Sequence, residues 1–108
     1  MIQRRDIKEW CTTVAREFRP ERILLFGSHA RGTPTDDSDV DVLVVMRLPR
    51  GRRDVRQAAT IRDRVPAPFP MDLLVRSPEQ IARRLAQGDS FVAVVLRHGR
   101  LMYEAEHP

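Results

Sequence analysis

Apolar residues in the first part of the chain recur at helical spacing. Ile7, Trp10, Cys11, Val14 and Phe18 stand at i, i+3, i+4, i+7 and i+11, which lines one face of an α-helix. The spacing predicts an amphipathic helix over residues 3–18, ended by Pro20. The period then changes. Residues 22–27 (Arg-Ile-Leu-Leu-Phe-Gly) form a short apolar run closed by glycine and read as a buried strand. Residues 28–37, rich in Gly, Pro, Thr and Asp, read as a turn with room for one helical turn at its start. Residues 39–46 are mostly β-branched and read as a second strand. Residues 53–65 carry Val55, Ala58, Ala59, Ile61 and Val65, a helical set that stops at the prolines of residues 66–70. A third strand covers residues 71–76, and Ser77-Pro78-Glu79-Gln80 has the form of a helix start. By period, residues 89–98 fit strand or helix; the cations Arg97 and His98 followed by Gly99 favour helix. Residues 100–104 close the series as a short strand.

The order helix, strand, strand, helix, strand, helix, helix, strand predicts a small mixed β-sheet with helices packed on it, an α/β (α+β) fold. At 108 residues, 1–108 reads as one domain with room for one modest core and little for a second lobe. Two-substrate enzymes usually build their sites between lobes, so part of any such site is expected from another molecule.

Composition narrows the classes. Hydrophobic residues make up 42% and charged residues 31%. No apolar run approaches the ~18 residues that a membrane-spanning helix needs. The start Met1-Ile2-Gln3-Arg4-Arg5-Asp6 lacks the apolar stretch of a secretory leader. The one cysteine, Cys11, has no internal partner and lies on the apolar stripe of the first helix. A reducing cytoplasm is the expected compartment. The net charge is +4 and Lys8 is the only lysine, so the positive charge is arginine, suited to phosphate-bearing ligands. Acidic and basic residues alternate without a basic block, so no stable nucleic-acid binding is expected.

Three features carry candidate chemistry. Gly27-Ser28 follows a strand; glycine allows close approach of a ligand, and a helical turn after it would aim free N–H groups at a phosphate. Alone, such a turn is ordinary. Asp39 and Asp41 are two apart on a strand and therefore share a face of an otherwise apolar run. Adjacent like charges repel unless a cation lies between them, and hard oxygen donors select magnesium, manganese or calcium. Capping of the strand start explains Asp39 but leaves Asp41 without a reason. Asp72 stands at the start of the third strand among Met71, Leu73 and Leu74. A strand–helix–strand unit over residues 39–76 makes its strands parallel, which places Asp39, Asp41 and Asp72 at one sheet edge. Antiparallel pairing of the first two strands adds Gly27-Ser28. A phosphate cradle beside three carboxylates is the apparatus of two-metal phosphoryl transfer, with Asp72 as ligand of the second ion or as general base.

Gly27-Ser28, ten intervening residues, then Asp39-Val40-Asp41 resembles the signature of the nucleotidyltransferase superfamily that includes DNA polymerase β and kanamycin nucleotidyltransferase. The fuller strings Gly-Ser-His-Ala-Arg-Gly from Gly27 and Ser-Asp-Val-Asp-Val-Leu-Val from Ser38 are similar to those of the minimal nucleotidyltransferases, or MntA-like antitoxins, and Asp72 falls where that family has its third carboxylate. The resemblance covers residues 22–76. It implies a polymerase β-like fold, two Mg²⁺ ions held by Asp39, Asp41 and Asp72, and ATP as substrate, with Gly27, Ser28 and Arg31 on its phosphates. It further implies transfer of AMP to a tyrosine of a helical HEPN-family toxin, for which the protein acts as antitoxin, and a hetero-oligomer with that toxin or a homo-oligomer. The alternatives are a small-molecule acceptor such as an aminoglycoside, and an antitoxin that acts by binding alone. Template-independent polymerisation on RNA ends lacks the basic groove it needs.

For Arg31, a phosphate contact and an ordinary exposed arginine are equal readings, as are a functional and a surface role for His29. His98 reads as a helix-end cation, His107 as tail, Tyr103 as a partly buried strand residue, and Asp36 and Asp37 as turn residues.

Overall fold

The first helix, α1 (Arg4–Phe18), buries Ile7, Trp10, Cys11 and Val14, the stripe set by the apolar spacing. The structure is a computed structural model that describes residues 2–106; Met1, Pro108 and the tail residue His107 lie outside the described residues. Helix α1 ends two residues before Pro20. Arg19 takes a left-handed conformation (φ 48°) and donates its N–H to the Ala15 carbonyl at 3.0 Å. Trp10 Nε1 donates to the Val65 carbonyl at 2.8 Å and ties α1 to the segment ahead of the third strand. Cys11 is a core residue, and burial pushes its thiol pKa up to about 12.

The remaining elements are β1 (Arg22–Phe26), α2 (Ser28–Arg31), β2 (Val40–Val45), α3 (Asp54–Arg64), β3 (Met71–Arg76), α4 (Pro78–Ala86), α5 (Ser90–His98) and β4 (Arg100–Glu104). Element order follows the sequence reading, including the single helical turn after Gly27. The ambiguous segment 89–98 is helical, and Asp89 caps it: its carboxylate accepts from the Val92 N–H at 3.1 Å. Helix α4 starts in the expected capping box. Ser77 Oγ accepts from Gln80 N–H at 3.1 Å, and Gln80 Oε1 accepts from Ser77 N–H at 2.8 Å.

The four strands form one mixed sheet in the order β3-β2-β1-β4. β2 and β3, joined through α3, are parallel, while β1 pairs antiparallel with β2 and with β4. Side chains alternate between the two faces. On one face Ile23, Leu25, Val40, Val42, Val44, Leu73 and Val75 pack on α1 and α3 through Ile7, Trp10, Val14 and Ile61. On the other, Leu24, Leu43 and Val45 pack on Ile81 of α4 and on Val92 and Val95 of α5. Central β2 is thus covered on both sides, which explains its unbroken apolar run after Asp41. No helix among the described residues is long and apolar enough to cross a membrane.

Candidate active site

The second face carries one row of side chains that does not fit a core. Asp41 of β2 is in register with Phe26 of β1 on one side and with Asp72 of β3 on the other. The next row inward, Leu24–Leu43–Leu74, is apolar. The row Phe26–Asp41–Asp72 therefore places two carboxylates on neighbouring strands, about 4.8 Å apart at the backbone, at the rim of an apolar floor. Asp39 lies one residue ahead of β2 rather than inside it, and is exposed, as is Asp72.

Asp41 bears the electrostatic consequence. Its pKa is raised above the usual carboxylate value by partial burial first, then by the charges of Asp72 and Asp39; His29 and Arg31 pull it down. Two carboxylates in register, with a third at the strand start, are the condition that a divalent cation relieves. Among the described residues, no group of three or more His, Cys, Asp or Glu side chains stands close enough together to hold a metal ion, so Asp39, Asp41 and Asp72 are not gathered into the single three-carboxylate set that the sequence suggests. The donors at hand are hard carboxylate oxygens. Mg²⁺ in phosphoryl-transfer sites takes one or two carboxylates and completes its octahedron with substrate phosphates and water, a demand that the Asp41–Asp72 pair fits.

Gly27 shows why a glycine is required between β1 and α2. Its backbone (φ 74°, ψ −155°) lies in a region essentially open to glycine alone. A Cβ there would overlap the Asp41 carboxylate. The turn that follows is short and pinned. Ala30 and Arg31 donate their N–H groups to the Gly27 carbonyl at 3.1 and 3.2 Å, which leaves the amides of Ser28 and His29 at the head of α2, beside Asp41.

His29 and Arg100 hold this turn in place. The structure buries His29, so it is not a surface turn residue; its Nε2 donates to the Ser38 carbonyl at 3.3 Å. That contact fixes the residue preceding Asp39. Ser38 also closes its own turn, its Oγ accepting from Thr35 N–H at 2.8 Å. Arg100 of β4 donates Nε to the Ala30 carbonyl at 3.1 Å. Nothing in the sequence marks Arg100: it is one arginine among eighteen and contacts α2 from a distance of seventy residues. His29 had a usable signal in its position inside the Gly-Ser turn. Arg31 is exposed and close enough to Asp41 to lower its pKa.

A cleft of about 390 Å³ opens between this turn and α5, with Asp41 and Arg31 on one side and Phe91, Val94 and His98 on the other. His98 ends α5 as its place before Gly99 suggests, and it also lines the cleft. Tyr103 is a partly buried strand residue opposite Ile23.

This geometry can be set beside known proteins. The profile of the nucleotidyltransferase domain matches residues 7–100, nearly the whole described chain. The chain belongs to the nucleotidyltransferase-domain family. A solved structure agrees: a Sulfolobus solfataricus protein titled "putative nucleotidyltransferase" superposes with a TM-score of 0.64 at 25% identity, over 93% of this chain and 78% of that one. A Methanocaldococcus jannaschii protein named "Putative protein adenylyltransferase" is 40% identical over 47 residues, 42% of this chain. The match spans about half of that relative's length (47%). The chain thus has the fold its motif implied, with Asp41 and Asp72 placed abreast by strand register, Gly27 against the Asp41 carboxylate, and Asp39 exposed just ahead of β2.

Proposed function

We propose that this nucleotidyltransferase is an Mg²⁺-dependent protein adenylyltransferase that moves AMP from ATP onto a hydroxyl, a tyrosine of a HEPN-family toxin, and so acts as the toxin's antitoxin in the cytoplasm. The single observation that carries the reading is the in-register row Phe26–Asp41–Asp72 beside Gly27. Asp41 and Asp39, with Asp72, would hold Mg²⁺, two ions in the fully loaded state. The bound metal supplies charge neutralisation on the triphosphate and lowers the pKa of the acceptor hydroxyl.

The chain's own groups do the rest. The Ser28 and His29 amides receive phosphate oxygens at the head of α2, and Arg31 adds a positive charge on the same side. The acceptor hydroxyl approaches from the exposed β3 side. Its oxygen bonds to the α-phosphorus while the bond from that phosphorus to the bridging oxygen breaks. Pyrophosphate leaves, and the hydroxyl proton passes to Asp72 as general base. A protein acceptor is supported by the name of the Methanocaldococcus relative. The toxin partner rests on the resemblance to minimal nucleotidyltransferases.

The test is intact-mass spectrometry of the product of the neighbouring gene after incubation with this protein, ATP and Mg²⁺. A gain of one or more AMP units is expected, absent with an Asp39→Asn/Asp41→Asn variant. A stable complex without mass gain would assign neutralisation to binding alone. Transfer to an aminoglycoside and not to protein would assign a small-molecule acceptor.

A further inference from the structure

The cleft beside Asp41 has walls of a different kind from the acidic row. Phe91 and Val94 of α5 face it, and both are large apolar side chains left half exposed, at 50% and 56%. Phe91 is held by Phe26, its ring edge-to-face at 5.6 Å with 84° between planes. Phe26 is also the β1 member of the row that contains Asp41 and Asp72. The apolar cleft and the carboxylates are therefore two ends of one cross-strand line. The cleft lies on the β1 side. Asp72 lies two strands away, about 9.5 Å across the sheet.

We propose that this cleft is the nucleoside pocket, and that it holds the base by stacking on Phe91 rather than by reading its edge. The proposal rests on the nucleotidyl-transfer reading and adds what grips the donor. Gly27 and Arg31, which frame the phosphate side, line the cleft too, so a nucleotide with its phosphates at α2 has its nucleoside beside the cleft. The acceptor is left the open β3 side, where Asp72 is exposed. In-line displacement requires the attacking oxygen and the leaving pyrophosphate on opposite sides of phosphorus, and a cleft filled by the acceptor ring would crowd attacker and phosphates onto α2 together. Asp41 and Arg31 belong to the phosphate side of the cleft, which leaves His98 as the one polar side chain near a base edge, with no Asn, Gln, Ser or Thr among the lining residues. Stacking on an aromatic ring is tolerant of base identity, because every base has a π-face. The pocket thus favours purines by area and discriminates weakly between ATP and GTP.

The experiment is calorimetric titration of the whole protein with ATP, GTP and inorganic tripolyphosphate, each with Mg²⁺. Phe91→Ala should weaken ATP and GTP alike by roughly 5- to 150-fold, the range for loss of one base–aromatic stack. It should leave tripolyphosphate, which has no base, unchanged. Val94→Trp, which fills the cleft instead of emptying it, should weaken both nucleotides with tripolyphosphate again unchanged; retained tripolyphosphate binding shows that each variant is folded. Equal loss for nucleotide and tripolyphosphate, or no loss for nucleotide, overturns the pocket. So does a raised KM for the protein acceptor with nucleotide affinity intact, which would give the cleft to the acceptor. Failure of the unsubstituted protein to bind any nucleoside triphosphate would refute the transferase reading itself, a separate outcome.

Discussion

Replacing Asp72 by asparagine should make the metal-free protein more stable while it weakens the site. Asp41 and Asp72 are neighbours in a parallel ladder, with backbones about 4.8 Å apart. Two unit charges at that separation repel by about 0.9 kcal/mol at the dielectric of water. Asp72 is exposed, so the lower, water-like end applies, and measured cross-strand pairs fall at about 0.2–1 kcal/mol. Asp72→Asn keeps the shape and removes one charge, so a gain of about 0.5–1 kcal/mol follows. For a domain near 100 residues this raises Tm by about 2–8 °C. The assay is thermal melting by circular dichroism at pH 7.5, in low salt with a chelator, repeated in 0.5 M NaCl and with Mg²⁺. Salt should shrink the gain, since it screens exposed charges, and Mg²⁺ should stabilise the parent more than the variant and close the gap. The pH dependence has a definite sign. The pKa of Asp41 is raised above 3.8, chiefly by burial and then by Asp72 and Asp39. The folded state therefore holds this proton more tightly than the unfolded chain, and stability from this group falls as pH rises from 3.8 through the raised value. The advantage of Asp72→Asn should be full at neutral pH and vanish as the medium is acidified past that window. An unchanged or lower Tm in low salt at pH 7.5, or a gain indifferent to salt, would refute the reasoning.

Three further substitutions probe the supports of the site. Gly27→Ala introduces a Cβ against the Asp41 carboxylate in a backbone region that only glycine occupies readily; a loss of about 1–3 kcal/mol in urea melts is expected, together with loss of nucleotidyl transfer. Trp10→Phe removes the 2.8 Å hydrogen bond to the Val65 carbonyl; leaving that buried acceptor unpaired should cost about 1–3 kcal/mol, read as a lower denaturation midpoint at unchanged m-value. Ser77→Ala breaks the capping box of α4 and should lower stability by about 1 kcal/mol, with the proposed transfer retained because Ser77 follows the end of β3 opposite to Asp72.

Much of this architecture was legible because two kinds of constraint acted together. Strand periodicity put Asp41 on one face, and the rule that a strand–helix–strand unit is parallel carried Asp72 to the same edge; the register Asp41↔Asp72 is where both lead. The boundaries were less legible. Asp39 falls just outside β2, since strand ends depend on which backbone groups find partners. The segment 89–98 could be assigned only from its ends, because a run such as Phe-Val-Ala-Val-Val-Leu has no clear period, and its Asp89 cap settles the matter physically. The burial of His29, the Arg100–Ala30 contact and the cleft beneath Phe91 were not legible. Each depends on elements far apart in the chain meeting in space, and local pattern carries no information about such meetings.

The parallel register of β2 and β3 also sets rules for how this chain can change length. Side chains alternate with a period of two, so a one-residue insertion inside β3 would turn Asp72 away from Asp41 and drive it towards the face packed on α1 and α3, while Leu73 and Val75 lost their burial. Such a chain would lose its activity and its fold in one step. The connections at residues 47–53 and 66–68 sit outside this register, whereas Phe69 is core and the Pro70 carbonyl accepts from Val40 N–H at 3.0 Å; the first two can lengthen or shorten with both carboxylates still abreast. Insertions in relatives should therefore accumulate in those two loops, and peptide tags or grafted segments for engineering belong there as well.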